Sequence, residues 1–294
     1  MAIYKRTYKA YAGQLTPEWS RFTVISRYAF ASLIDSRPFT AYTILCCVPF
    51  LLGIVFIYVM NTPSVQALLN IRFGEQLMID RRLFMYMLQI QAWMGFVLTA
   101  WGSPGMITRD FANHALQLYL SRPLSRTEYL LGKASVLVVL LSAITWIPTL
   151  LLFLLEGGLK GNGWIWKNLW LAGSITVGGL IWIAVITLYS MAMAVWVRWR
   201  IAATGLMFAT FFLLPGLGEA IDVILRTHWG HLLNFPYVIS LVWSRLFRFT
   251  EIQRHGSQYD WIPLWAAWAT LLAMCAISLW LLNRRLKARE VERG

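Results

Sequence analysis

The chain has 294 residues, of which 59% are hydrophobic and 13% charged, well under the roughly one quarter charged that is usual in soluble domains. A water-soluble protein of this size cannot hide so much apolar side chain. The formal charge is +13, from 26 Lys and Arg against 13 Asp and Glu. That would point to nucleic acid in a soluble chain, but beside long apolar runs it reads as cytoplasmic loops and contact with anionic lipid.

The N-terminus is polar and basic (Lys5, Arg6, Lys9). It lacks the apolar core of a cleavable signal peptide, so the first apolar run is expected to act as its own insertion signal. Residues Trp19 to Leu33 have helical spacing. Trp19, Phe22, Ile25, Ala29, Phe30 and Leu33 share one face, Arg21, Arg27 and Asp35 the other, with Val24 and Tyr28 spoiling the separation. Two readings fit, a helix lying in the inner membrane interface and a helix packed on protein.

A bilayer core about 30 Å thick needs about 20 apolar residues per helical span. Six such runs follow. They cover Phe39 to Met60, Phe84 to Trp101 (interrupted by Gln89 and Gln91), Ala134 to Leu155, Asn168 to Val197, a fifth from Ile201 that breaks at Pro215-Gly216, and Ile262 to Leu282. The fourth is long enough to tilt. The expected class is an all-α integral membrane protein with six transmembrane helices preceded by an N-terminal interfacial helix. It divides into residues 1–38, a transmembrane domain over 39–284 and a basic tail over 285–294.

With both termini cytoplasmic, 17 Lys and Arg lie inside and nine outside, while acids split six and seven. That is the positive-inside bias. Trp164, Trp166, Trp170, Trp261 and Trp265 flank spans as interfacial tryptophans do. Cys46, Cys47 and Cys275 sit inside apolar runs with no metal-ligand spacing and read as packing residues. By these boundaries no charged residue lies in mid-span, which argues against ion-coupled carriers, since such carriers need intramembrane charges. No Walker A motif is present, so ATP cannot be bound by that route.

The inner loop between spans two and three, about 107–133, is the most informative segment. Phe111 to Leu120 can form a short helix, which Pro123 then breaks. Ser125-Arg126-Thr127-Glu128 is a capping box that starts a new helix leading into span three. Two short helices with an elbow make a rigid knob, and the bland alternative is a well-capped loop with no partner.

Ser121-Arg122-Pro123-Leu124-Ser125-Arg126 followed by Tyr129-Leu130-Leu131-Gly132-Lys133, after the acidic Asp110 and a short helix, resembles the signature loop of ABC-2 type permeases. These are the membrane subunits of a class of ATP-binding-cassette exporters. The resemblance covers nearly the whole chain. The family often has Glu at the place of Asp110 and a glycine near Ala115. The resemblance implies an ABC-2 permease-like fold in a prokaryotic plasma (inner) membrane. It also implies a permease dimer, read as a homodimer, with two cytoplasmic ATPase subunits beneath it. ATP and Mg would belong to those subunits, with no cofactor and no catalytic residue in this chain. Asp110, Phe111, His114, Leu116, Gln117, Leu118, Arg122 and Arg126 become the implied ATPase contacts, held by a loop built on Pro123, Ser125 and Glu128. Membrane lipid is the other partner, and nucleic acid has no role.

The outer segment, about 217–261, lies where family members carry short re-entrant helices near the exit. Pro215, Gly216 and Glu219 are the implied outer gate. Ile221, Ile224 and Leu225 sit at helical spacing, as do Leu241, Leu246 and Phe249. His228 and His231 are three apart, with Glu219, Asp222 and His255 nearby, and are weak candidate metal ligands. Gly230 between them disfavours a helix, and interfacial anchoring is the commoner role of such histidines. The expected function is export of a substrate of lipidic or amphipathic character. The alternatives are a membrane scaffold that moves nothing, and a lipid-acting enzyme using His228, His231 or Asp222.

Overall fold

The computed structural model describes residues 21–68, 80–112, 125–197, 199–249 and 262–291, and every regular element among them is a helix. In chain order these are α1 (Arg21–Ile34), α2 (Arg37–Leu45), α3 (Val48–Asn61), α4 (Pro63–Leu68), α5 (Arg81–Ala112), α6 (Arg126–Ile144), α7 (Trp146–Lys160), α8 (Asn162–Trp196) and α9 (Arg200–Leu225). A short 3-10 turn (Trp229–Leu233), α10 (Phe235–Leu246) and α11 (Leu264–Val291) follow. Six stretches are long and apolar enough to cross a membrane: Arg37–Asn61, Arg81–Thr108, Thr127–Lys160, Gly163–Trp196, Arg200–Leu225 and Leu264–Arg285. The chain is an all-α protein with the make-up of a multi-pass membrane protein.

Prolines decide where spans bend. The first span, expected unbroken, is α2 and α3 joined at Cys46-Cys47, and the third is α6 and α7 joined at Thr145. Pro49 and Pro148 stand just beyond these joints. Each lacks an amide hydrogen, so the carbonyls of Leu45 and Ile144 have no helical donor and the chain bends there. Pro215, by contrast, does not break span five, contrary to expectation: α9 runs through it to Leu225. Losing one bond inside an apolar helix costs less than unwinding it, which would strand several backbone groups away from water. Among the described residues nothing crowds the Cα of Gly216 to force a bend.

Pro104 inside α5 shows how such a defect is repaired. Its missing amide frees the carbonyl of Ala100, and the Thr204 hydroxyl of α9 donates to that oxygen at 2.8 Å. Arg200 Nη2 reaches the next carbonyl, Trp101 O, at 3.4 Å. Thr204→Val keeps the shape and orphans a buried acceptor, so it should cost about 1–3 kcal/mol. Thermal unfolding in detergent reads this, and a wild-type midpoint would mean that another donor serves Ala100.

α8 is the central helix, packed by α5, α6, α7, α9, α10 and α11. Half or more of the apolar windows of the second, third and fourth spans is buried, against 22% in the first, fifth and sixth. The latter three therefore turn most of their apolar surface outward, as lipid-facing helices do. Inside, Phe96 stacks on Phe211 at 3.9 Å, and Phe211 meets Phe235 edge-on at 5.0 Å. Such ring pairs add about 0.5–1.5 kcal/mol each beyond area burial.

The segment after α9 doubles back into the bundle. Gly218 of α9 lies against Gly230 of the 3-10 turn, backbone to backbone. Phe235, at the start of α10, reaches the depth of Phe211 and Trp182. α10 then climbs again, and its last carbonyl, Leu246 O, accepts from the Ser174 hydroxyl at 2.7 Å.

Other boundaries also shift. α5 extends past Trp101 to Ala112, α8 begins at Asn162, and α11 carries the tail as helix to Val291. The inner loop is correspondingly narrower than 107–133, and residues 217–225 of the outer segment belong to α9. Near the N-terminus α1 packs along α6. Ile25, Ala29 and Leu33 are buried, while Val24, Tyr28, Phe30 and Ile34 are exposed. Phe30 thus leaves the face assigned to it. A Cβ on Gly132 would stand 3.0 Å from Phe22 O, so a glycine is needed for this approach. The Ser26 hydroxyl donates across the same contact to Gly132 O at 2.9 Å.

Candidate functional site

At the α1 end of the bundle, α5 finishes and α6 starts side by side. Met106 and Asp110 are four apart on α5, and Tyr129 and Lys133 four apart on α6. Residues at this spacing share a helix face, so two matching faces meet. Asp110 Oδ2 lies 2.9 Å from Lys133 Nζ and accepts from the Tyr129 hydroxyl at 2.9 Å. Lys133 Nζ also donates to Met106 O at 3.4 Å. Tyr129 and Lys133 are buried, and the Asp110 side chain is 16% exposed. A salt bridge in such a place gains little net energy against desolvation, but it fixes how the two helices align.

The start of α6 is equally fixed. Glu128 N donates to Ser125 Oγ at 3.2 Å, and Ser125 N donates to Glu128 Oε2 at 2.6 Å. Both halves of the capping box are present. So the clamp fixes the end of α5 to α6, and the cap fixes where α6 begins.

Of the residues assigned to partner contact, Asp110 is engaged within the chain. Phe111 is next to last in α5 and Arg126 opens α6; their side chains lie outside the described residues. His114, Leu116, Gln117, Leu118, Arg122 and Pro123 also lie outside them. Lys133 was not singled out from sequence, although the Tyr129/Lys133 spacing after a capped start was there to be read.

The third span is longer than expected and takes in charged residues near its two ends. The third span, Thr127–Lys160, encloses Lys133 and Glu156. The Glu156 side chain is fully buried. It accepts from Asn61 Nδ2 at 2.7 Å and pairs with Lys160 at 2.7 Å, tying α3 to α7 at the far end. Glu156 lies one residue beyond the expected end of the span at Leu155.

The outer-gate residues lie on the far half of α9. Gly216 and Glu219 are exposed and Pro215 half-buried. Asp222 anchors the doubled-back segment. Its carboxylate accepts from Gly230 N at 2.7 Å, His231 N at 3.1 Å and the Thr227 hydroxyl at 3.2 Å. His231 Nε2 is 3.4 Å away. His231 is buried and His228 exposed. Among the described residues no three His, Cys, Asp or Glu side chains come together as a metal site. With its carboxylate taken up in backbone bonds, Asp222 serves as an anchor here.

Cations cover aromatic rings at both ends of the bundle. Arg248 lies 4.5 Å over Trp170 and Arg81 5.1 Å over Phe249 at the far end. Arg284 lies 5.2 Å over Trp280 and Arg285 5.6 Å over Trp196 at the α1 end. Two such belts fit two membrane–water interfaces. No known protein-family model matches the chain, and no curated protein sequence matches it either.

Proposed function

We propose that this chain is the transmembrane permease subunit of an ABC-2 type ATP-binding-cassette transporter, exporting a lipidic or amphipathic substrate. It works as a homodimer over two copies of a separate cytoplasmic ATPase, which carries the ATP and Mg. The termini and the 113–124 segment face the cytoplasm. The observation that carries this reading is the fixed junction of α5 and α6 on either side of that segment. The Asp110–Lys133–Tyr129 clamp joins the end of α5 to the start of α6 and the Ser125–Glu128 cap fixes where α6 begins, so a push that reaches either helix is shared by both. Closure of the ATPases would therefore move both helices, and α5 passes the movement to α9 through Thr204 and Arg200.

Co-purification from native membranes in mild detergent tests this. An ABC ATPase in equal amount is the expected result. A preparation lacking one, under conditions where a known ABC transporter keeps its own, sinks the reading and leaves the scaffold. In the complex, Phe111→Ala with Arg122→Ala should uncouple ATP hydrolysis from transport. Normal transport by this pair would displace the docking segment from 113–124.

A further inference from the structure

The third span changes direction at Thr145, whose φ of −100° and ψ of −89° lie outside helical geometry. Pro148 has no amide hydrogen, so Ile144 O receives no bond from α7. The next bond is long, with Thr149 N donating to Thr145 O at 3.5 Å. The Thr149 hydroxyl lies 2.5 Å from Gln91 Oε1 and 3.0 Å from Thr145 O, which puts the Gln91 amide of α5 beside the broken turn. Gln91 is fully buried, and its Nε2 has no acceptor among the described residues; nor has Trp146 Nε1 in the first turn of α7. The joint thus holds a carbonyl short of a donor next to donors short of an acceptor. Away from water such groups are costly, so an arrangement that matches them lies close in energy. Glycines flank the joint on two sides. A Cβ on Gly95 of α5 would stand 3.0 Å from Leu141 Cδ2, and one on Gly179 of α8 would stand 2.5 Å from Trp146 Cβ. Neither helix braces the joint with a side chain at these places.

We infer that the third span is a two-position hinge at Thr145, and that in the second position Gln91 Nε2 donates to Ile144 O. An amide accepts at its oxygen while it donates from its nitrogen, so Gln91 keeps the Thr149 hydroxyl as it takes the carbonyl. The two arms have different neighbours. α7 is the fixed arm: Glu156 ties it to Asn61 of α3, and Ile165 of α8 lies directly on Gly157. α6 is the moving arm. It is bonded to α1 through Ser26 and to the end of α5 through Lys133, and α5 has its own proline at Pro104, so its last two turns can follow. Leu131 is 14 residues from Thr145, about 21 Å along the helix, so a turn of about 20° moves it by about 7 Å. The hinge is a property of the chain alone and does not depend on the transporter reading.

The test uses the full chain in lipid nanodiscs, with Cys46, Cys47 and Cys275 replaced by alanine. Leu131→Cys on α6 and Leu279→Cys on α11, both at exposed positions, carry spin labels, and unlabelled chain in excess excludes distances between copies. Pulsed electron spin resonance should read two distances about 7 Å apart. Gln91→Leu should lose the second distance and keep the first, without lowering the thermal midpoint, because Thr149 retains Thr145 O. Pro148→Ala gives Ile144 O a helical donor and should likewise leave one distance. A single distance with Gln91 and Pro148 both in place overturns the hinge. Two distances in Gln91→Leu, whatever its midpoint, overturn Gln91 as the partner of the second position, and two distances in Pro148→Ala overturn Thr145 as the joint.

Discussion

Lys133→Ala should destabilise the folded protein by about 3–5 kcal/mol, the usual result of removing one partner from a buried ion pair. The ammonium and the Asp110 carboxylate are 2.9 Å apart with 7% and 16% of their side chains exposed. Without Lys133 the carboxylate keeps the Tyr129 hydroxyl as its partner within this clamp, too little for a charge out of water. The neutral pair Asp110→Asn with Lys133→Met removes both charges at once and should return to within about 1–2 kcal/mol of wild type, because an apolar replacement also spares the desolvation cost. Thermal unfolding followed by tryptophan fluorescence measures both. If the single variant matched wild type, the clamp would not be a stability element. If the double variant were worse than the single, the pair would be net favourable, not merely matched. The neutral pair separates alignment from charge, since it keeps the packing of α5 on α6.

Gly218→Ala should unseat the doubled-back segment at a cost of about 3 kcal/mol, the upper end for overpacking. A methyl at 218 would run into the backbone carbonyl of Gly230, and backbone cannot swing aside as a side-chain tip can. The Asp222 bonds to Gly230 N and His231 N lie next to this contact and would be lost with it. Gly216→Ala is the matched control two residues away. Nothing among the described residues crowds that position, so it should be neutral or stabilise by up to about 1 kcal/mol through lower chain entropy and better helix propensity. Trypsin cleavage at Arg226 in detergent reads the local opening, and the thermal midpoint reads the global cost. Equal behaviour of the two variants would show that the contact tolerates a side chain.

The sequence by itself determined the class, the number of spans and their order, because a run of about 20 apolar residues has few other places to go. It also determined the start of α6, since the Ser125–Glu128 box involves neighbours in the chain alone. The bends at Cys46-Cys47 and Thr145 were not expected, although Pro49 and Pro148 stand just beyond them. Pro215 shows why a proline alone does not settle a bend: the same residue type breaks one helix and is tolerated in another, depending on what surrounds the freed carbonyl. The tertiary structure alone decided which charges are paired. Asp110 and Lys133 are 23 positions apart, and Asn61 and Glu156 are 95 apart, so nothing local marks them as partners. It likewise decided that Thr204 repairs the Pro104 defect, and that Gly218 meets Gly230. The physical reason is common to all of these. Helix formation and membrane insertion depend on short-range pattern, whereas burial of a polar group is affordable only when a particular distant partner arrives to satisfy it.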